Sequence, residues 1–282
     1  MAEVRIIEYT DPGCPWAFSA EPFRRRLDWT YGDAIRWETR MVGLSPSPEH
    51  YLEAGFTPEV QATAFRDIAR DHGMPIDSSV RPRMEATLPA CRAVVAARLN
   101  APERERPLLR ALRLRHFAGE LFDEHEVIAA AAADAGLDPA ALARWVGDEA
   151  TERALAADMQ AARNPTPAAL AQDERLAGWE GGRRYTCPSY EIERLADGRR
   201  LSAPGFQPYR AYAMALANLL PGARRRPAPG DVAEVLEWAG EPLATREVAE
   251  VMRIPDAQAR ERLAQTAHER PLGQDGLWSL SP

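Results

Sequence analysis

The sequence predicts an α/β fold in which a small sheet is split by a large all-helical insertion and followed by a small C-terminal module. Three observations carry this reading. The run Val4–Tyr9 reads as a strand that stops at Asp11-Pro12-Gly13 and yields to a helix starting near Cys14-Pro15. Residues about 50–178 read as almost continuous helix. After Leu219-Leu220-Pro221-Gly222 the composition shifts through Arg224-Arg225-Arg226-Pro227-Ala228-Pro229-Gly230 into a second pattern of short helices and a hairpin. The chain has 282 residues, 45% of them hydrophobic, enough for a substantial core in two domains, expected at 1–223 and 231–282.

The first strand is short and rich in β-branched and aromatic residues, Val4-Arg5-Ile6-Ile7-Glu8-Tyr9. Pro15 suits a first helical turn, and Trp16–Leu27 carries apolar residues at near-helical spacing, with Pro22 predicting a kink or restart. Cys14 therefore stands at a helix start, where free backbone N–H groups and the positive dipole end favour a thiolate. The motif Cys14-Pro15-Trp16-Ala17 has the form of a Cys-x-x-Cys redox pair whose second cysteine is alanine. Cys14 can attack a disulfide, but its customary neighbour cannot release it.

The run Asp11-Pro12-Gly13-Cys14-Pro15-Trp16, then Tyr31-Gly32-Asp33 and a strand ending Met41-Val42-Gly43-Leu44, resembles the DsbA-like branch of the thioredoxin superfamily. The resemblance reaches FrnE-like oxidoreductases, 2-hydroxychromene-2-carboxylate isomerases, kappa-class glutathione transferases and YjbH-type protease adaptors, and covers roughly residues 3–221. It implies a thioredoxin-like fold interrupted by a helical block. It also implies a second half opening with a strand that a cis-proline precedes, matched here by Arg184-Tyr185-Thr186-Cys187-Pro188-Ser189-Tyr190-Glu191-Ile192. A strand near Arg199-Arg200-Leu201-Ser202 and a helix over 208–220 complete the order. Cys187 stands just before that proline. In a thioredoxin fold this residue faces the nucleophilic sulfur, so the resemblance implies that Cys14 and Cys187 are close enough for a disulfide or a two-thiolate grip on a soft metal. Pro15, Trp16, Thr186 and Pro188 are the substrate-binding residues implied with them.

Within the helical block, Thr57-Pro58-Glu59 predicts a capped helix that stops at His72-Gly73. Further helices are expected at 103–118, 124–135, 139–146 and 152–163, with caps at Asp123, Asp138 and Thr151 and stops at Gly119, Gly136 and Gly147. The third cysteine, Cys91, shares a predicted helix face with Leu88, Val95 and Leu99 and reads as a core residue, with a place in the active cleft or in a metal set as the alternative. The five histidines show no paired ligand spacing. His116, alternating with arginines, reads as a helix-surface residue, and Arg24-Arg25-Arg26 as a solvated face, with contact to an acidic thiol cofactor as the weaker reading.

Every basic side chain is an arginine, because the sequence contains no lysine; lysine Schiff-base chemistry and a Walker-type phosphate loop are therefore excluded. The formal charge of −7 argues against general nucleic-acid binding. Three cysteines are too few for a secreted disulfide scaffold, and no apolar run approaches the ~20 residues needed to span a membrane. With no basic-then-apolar leader pattern at the N-terminus, a cytoplasmic location is expected.

In the last segment, 231–239 reads as a helix, Thr245 as the cap of 246–252, Asp256 as the cap of 257–269, and 271–280 as a hairpin. That order resembles a winged helix. Its ten acidic residues against five arginines over 228–282 disfavour a DNA-binding role. The module reads instead as an intramolecular lid, a homodimerisation piece or a protein-binding surface. The function expected is a cytoplasmic thiol–disulfide oxidoreductase with Cys14 as nucleophile and Cys187 as resolving thiol. Its alternatives are an isomerase or transferase dependent on a low-molecular-weight thiol, a non-catalytic protein adaptor, and a soft-metal site formed by Cys14, Cys187 and Cys91. No tightly bound cofactor and no membrane partner are expected.

Overall fold

A computed structural model describes residues 2–281. β1 (Val4–Thr10) leads through the Asp11–Cys14 turn into α1 (Pro15–Ser19) and α2 (Glu21–Tyr31), and β2 (Ile35–Met41) follows. The helix breaks at Ala20 and restarts with Pro22 in the first turn of α2, as the proline requires. The helical block comprises α3 (Pro48–Glu53), α4 (Pro58–His72), α5 (Leu88–Asn100), α6 (Glu105–Phe117), α7 (His125–Asp134), α8 (Pro139–Val146), α9 (Glu149–Ala162) and α10 (Pro167–Leu170). The chain then forms β3 (Ala177–Trp179), β4 (Gly182–Arg184), β5 (Ser189–Arg194), β6 (Arg200–Ala203) and α11 (Tyr209–Leu219). The central sheet has the order β2-β1-β5-β6, with β1 parallel to β2 and antiparallel to β5, and β6 antiparallel to β5. This is the thioredoxin-like arrangement expected from the sequence.

The helical block is less continuous than its sequence suggests. Residues 73–87 form no helix. Gly73 closes α4 in the left-handed region, Pro75 and Pro82 interrupt helical hydrogen bonding, and Met74, Ile76 and Met84 are buried as an extended packing strip. Thr57 and Asp138 cap as expected, accepting from Val60 and Ala140 N–H. Asp123 does not cap: it accepts from Arg83 and from Ala86 N–H, leaving Glu124 at the helix boundary. Thr151 lies inside α9, which starts earlier after Asp148, and its hydroxyl donates to Trp145 O at 2.7 Å. The short β3–β4 hairpin, with two glycines beside charged residues, gave no periodic signal.

In α5 the fully buried run Ala93–Ala97 includes residues on every side of the helix, and Cys91 is fully buried as expected. Leu99 lies exposed near the helix end, so the predicted face is not uniformly covered. Beside this core, Glu105 of α6 has its carboxyl pushed up to about 7 by burial, against the pull of Arg98 and Arg24, and its Oε1 has no hydrogen-bond partner. A carboxyl that protonates more readily in the fold than its ordinary value of 4.5 adds stability at low pH and loses it as pH rises through about 7. The Glu105→Gln variant should therefore lack this decline between about pH 4.5 and 7 in denaturant titrations. Identical pH slopes in both proteins would contradict the assignment.

The C-terminal residues form α12 (Val232–Ala239), β7 (Leu243–Ala244), α13 (Thr245–Met252), α14 (Asp256–Thr266), β8 (His268–Leu272) and β9 (Asp275–Ser279), with sheet order β7-β9-β8. The last helix ends at Thr266 rather than 269, because His268–Leu272 pairs with β9. The two-residue β7 was too short to read. Thr245 opens α13 instead of capping it, its hydroxyl donating to Asp275 at 2.8 Å, while Glu247 reaches back to Ala244 N–H.

This module is docked on α2. Trp29 joins Val235, Leu243, Val248 and Trp278 in one apolar cluster, and its indole donates to Pro227 O in the connecting segment at 2.7 Å. The run Arg24-Arg25-Arg26 is consequently no solvated face. Arg24 is buried against Glu8 at 2.5 Å, Arg25 bonds Glu241 and Glu247, and Arg26 bonds Glu250 at 2.7 Å. Its basic character is consumed in holding the sheet and the module, which removes it from cofactor binding.

Candidate active site

The site forms where β1 ends. Asp11 is buried and accepts from Gly13 N–H and Leu44 N–H, both at 2.9 Å, from Thr87 Oγ1 at 3.0 Å and from Cys91 Sγ at 3.4 Å. Burial pushes its carboxyl up while these donors pull it down. One side chain thus ties the turn before Cys14 to the end of β2 and to the start of α5. Gly13 permits the close packing: a Cβ there would lie 2.9 Å from the Phe122 ring. Cys91 donates to Asp11 and its thiol is raised well above the ordinary range, first by burial and then by the Asp11 charge. It is therefore a protonated core group that braces the turn.

Cys14 occupies the N-cap of α1, with Pro15 following it. It is 6% exposed, as is Cys187, and both pack with Tyr9, Ala17, Val42 and Tyr185. Ala17, where a resolving cysteine would stand in a Cys-x-x-Cys motif, is buried in that cluster. The peptide bond between Cys187 and Pro188 is cis. Cys14 Sγ donates to Cys187 O at 3.3 Å. The Cys14 thiol is lowered, first by a hydrogen bond from the Cys187 thiol and then by Ala17 and Trp16 N–H, against the opposing effect of burial. The Cys187 thiol is raised well above the ordinary range by burial and by Cys14 itself. These surroundings favour the thiolate at Cys14 over that at Cys187. All three cysteines are free thiols.

Three further groups complete the surroundings. Tyr51 of α3 has its phenol raised by burial and by the charges of Asp11, Cys14 and Cys187, which sets its hydroxyl in the field of the thiols. Arg113, buried behind the site, donates to Thr10 Oγ1 and Glu21 and interacts with the charge on Cys14. Trp16 is 40% exposed and lies edge-on to His72 and Phe206, at centroid distances of 4.9 and 5.4 Å. Neither Tyr51 nor Phe206 belongs to a motif, and His72 reads in sequence only as a helix terminator.

Pro188 is buried beside Cys187. Thr186 is half-buried, its hydroxyl donating to Arg175 O at 3.0 Å and its carbonyl accepting from Ser189 Oγ at 2.7 Å. His116 is not on the surface: it is 1% exposed, with Nδ1 facing Glu85 at 2.9 Å and Arg81 at 3.0 Å. Arg110 and Arg113 on the same helix likewise turn inward, to the buried Glu21 and Glu247, while Arg115 stays at the surface with Glu120 and Asp134; the charge-rich pattern does not separate the two faces. No group of three or more His, Cys, Asp or Glu side chains placed to hold a metal ion occurs among the described residues.

No protein-family model matches the chain, and no curated protein matches its sequence. Solved structures do match. A probable DsbA oxidoreductase from Streptomyces coelicolor superposes with a TM-score of 0.56 at 18% identity, over 81% of this chain and 94% of that one. The cytosolic disulfide reductase DsbM from Pseudomonas aeruginosa gives 0.55 at 19%, over 76% and 99%, and a further structure of that reductase, with GSH, gives 0.54 at 18%, over 76% and 99%. A Nitrosomonas europaea protein proposed to be a disulfide isomerase gives 0.55 at 19%, over 78% and 96%. At these identities the likeness shows the fold: a DsbA-like thioredoxin fold.

Proposed function

We propose that the protein is a cytoplasmic thiol–disulfide oxidoreductase acting on low-molecular-weight disulfides through Cys14, with Cys187 as the resolving thiol. The observation that carries this reading is the meeting of the two cysteines, Cys14 ionisable at a helix N-terminus and Cys187 protonated opposite it. The Cys14 thiolate attacks one sulfur of R–S–S–R′, forming Cys14–S–S–R and releasing R′–S⁻. That step removes the charge on Cys14, one of the causes that keep the Cys187 thiol protonated, while Arg184 continues to favour its ionisation. Cys187 then loses its proton to solvent and attacks the Cys14 sulfur, expelling R–S⁻ and leaving a Cys14–Cys187 disulfide. Two external thiols reduce that disulfide and restore the dithiol, becoming a disulfide themselves. Pro15, Trp16, Thr186 and Pro188 line the substrate approach in this scheme. GSH in a structure of the similarly folded DsbM supports a small thiol as the reductant.

The C-terminal residues are proposed to be a winged-helix-like module that supports the α2 face. Arg260 of α14, where phosphate contacts would be sought, is bound to Asp275 and to Glu269. The reading is tested by Cys187→Ser. Exposed to one equivalent of glutathione disulfide, this variant should accumulate a mixed disulfide on Cys14, measured as a glutathione adduct by intact mass. The wild type should pass through the adduct to the unmodified mass less two hydrogen atoms. Equal adduct accumulation in both proteins would assign release to an external thiol alone.

A further inference from the structure

Two cations beside Cys187 lack the partners that the neighbouring arginines possess. Arg183 of β4 is bound to Asp173, and Arg175 lies 3.9 Å from Glu174. Arg163, just past α9, and Arg184, at the end of β4, have no carboxylate within 4.0 Å among the described residues. Both are half-buried, a setting in which an arginine normally finds an acidic partner. Arg163 donates only to carbonyls, Met159 O at 2.9 Å and Val42 O at 3.3 Å, and Arg184 to Tyr185 O at 3.0 Å. The two guanidinium charges also repel one another, Arg184 lowering Arg163 in addition to the effect of burial.

Their position relates them to the thiols. Tyr185 N–H donates to Ala162 O at 2.9 Å, fastening the end of α9 to the segment that carries Cys187. Val42, whose carbonyl Arg163 grips, packs in the same apolar cluster as Cys14 and Cys187. A groove of about 540 Å³ borders Arg163 and is lined also by Trp179, Met159, Gln160 and Glu152, whose carboxylate is held by Arg92 at 2.9 Å; the Arg163 guanidinium lies 5.5 Å from the Trp179 ring.

We propose that Arg163 and Arg184 form an anion-binding subsite that selects disulfides carrying carboxylates. The proposal rests on the thiol–disulfide reading above and adds the substrate charge. A substrate carboxylate would supply the acidic partner that both arginines lack, and a planar guanidinium can bind it through two parallel hydrogen bonds. The long face of Trp179 would cover the apolar part of such a ligand.

The test compares the full-length wild type with Arg163→Gln/Arg184→Gln, using glutathione disulfide and the neutral 2-hydroxyethyl disulfide as substrates and a dithiol, oxidised to its cyclic disulfide, as the external reductant for both. Each charged contact corresponds to about a tenfold effect, so the ratio of kcat/KM for glutathione disulfide over 2-hydroxyethyl disulfide should fall roughly 10–100-fold, mainly through KM. The wild-type ratio should also decline as salt rises from low to high ionic strength. A ratio unchanged within twofold would overturn the proposal. Binding of S-methylglutathione, which keeps the carboxylates but has no reactive sulfur, is measured in parallel by calorimetry. A Kd weakened about tenfold or more in the double variant supports the subsite even if neither disulfide turns over, an outcome that would count against the thiol–disulfide reading alone. An equal Kd in both proteins would overturn the subsite.

Discussion

The Cys14→Ser variant should lose turnover of small disulfides by about a thousandfold or more, because a serine hydroxyl neither ionises near neutral pH nor forms the S–S bond the cycle requires. The remaining thiols cannot replace it. Cys91 is fully buried and donates to Asp11, and the Cys187 thiol is raised well above the ordinary range. The fold should tolerate the change, since Cys14 is a small residue at the edge of an apolar cluster and the α1 cap uses no side-chain bond. Disulfide turnover measured beside a circular-dichroism spectrum separates lost chemistry from lost structure. Residual activity above about one part in a hundred, with the spectrum unchanged, would move the nucleophile to another cysteine.

The second large effect concerns stability. Glu247 is 0% exposed and accepts from Arg110 Nη1 at 2.8 Å, Arg110 Nη2 at 2.6 Å, Arg25 Nε at 3.3 Å and Ala244 N–H at 2.8 Å. It joins α6, α2 and α13. Glu247→Ala would leave Arg25 and Arg110 with less compensation in a desolvated seam, a loss expected at about 3–5 kcal/mol. Urea unfolding should show a lower midpoint, whereas Glu250→Ala, at the edge of the same seam with Arg26 and Arg246, should show a smaller shift. A loss for Glu247→Ala below about 1 kcal/mol would mean that the ionic seam does not hold the module.

These two side chains mark what sequence alone could show. Cys14 was legible because the strand, the Asp-Pro-Gly turn and Pro15 are local signals, and local signals decide where β1 ends and α1 begins. Of the sheet, only β1 was legible in the same way; the strands at 35–41, 189–194 and 200–203 were expected through the resemblance and stand where it implies, with small shifts of boundary. Arg25, Arg110 and His116 were not. Each lies on a helix rich in charge, which reads as an exposed face until the partners at Glu247, Glu241 and Glu85 are brought in from distant segments. Likewise the irregular 73–87 strip is fixed by contacts with the hairpin tip: Gln274 donates to Met74 O at 2.9 Å, and a Cβ on Gly273 would fall 2.4 Å from Ile76 O. Tertiary charge pairing and close backbone approach leave no periodic trace in a sequence.

The pairing of Cys14 with Cys187 is tested most directly by peptide mapping of wild-type protein oxidised with one equivalent of glutathione disulfide and digested, without reduction, by an arginine-specific protease. The account predicts one dominant cross-linked species joining the peptide that holds Cys14 to the peptide that holds Cys187, with Cys91 recovered as a free thiol. Recovery of Cys14 only as its glutathione adduct, with Cys187 free, would contradict it.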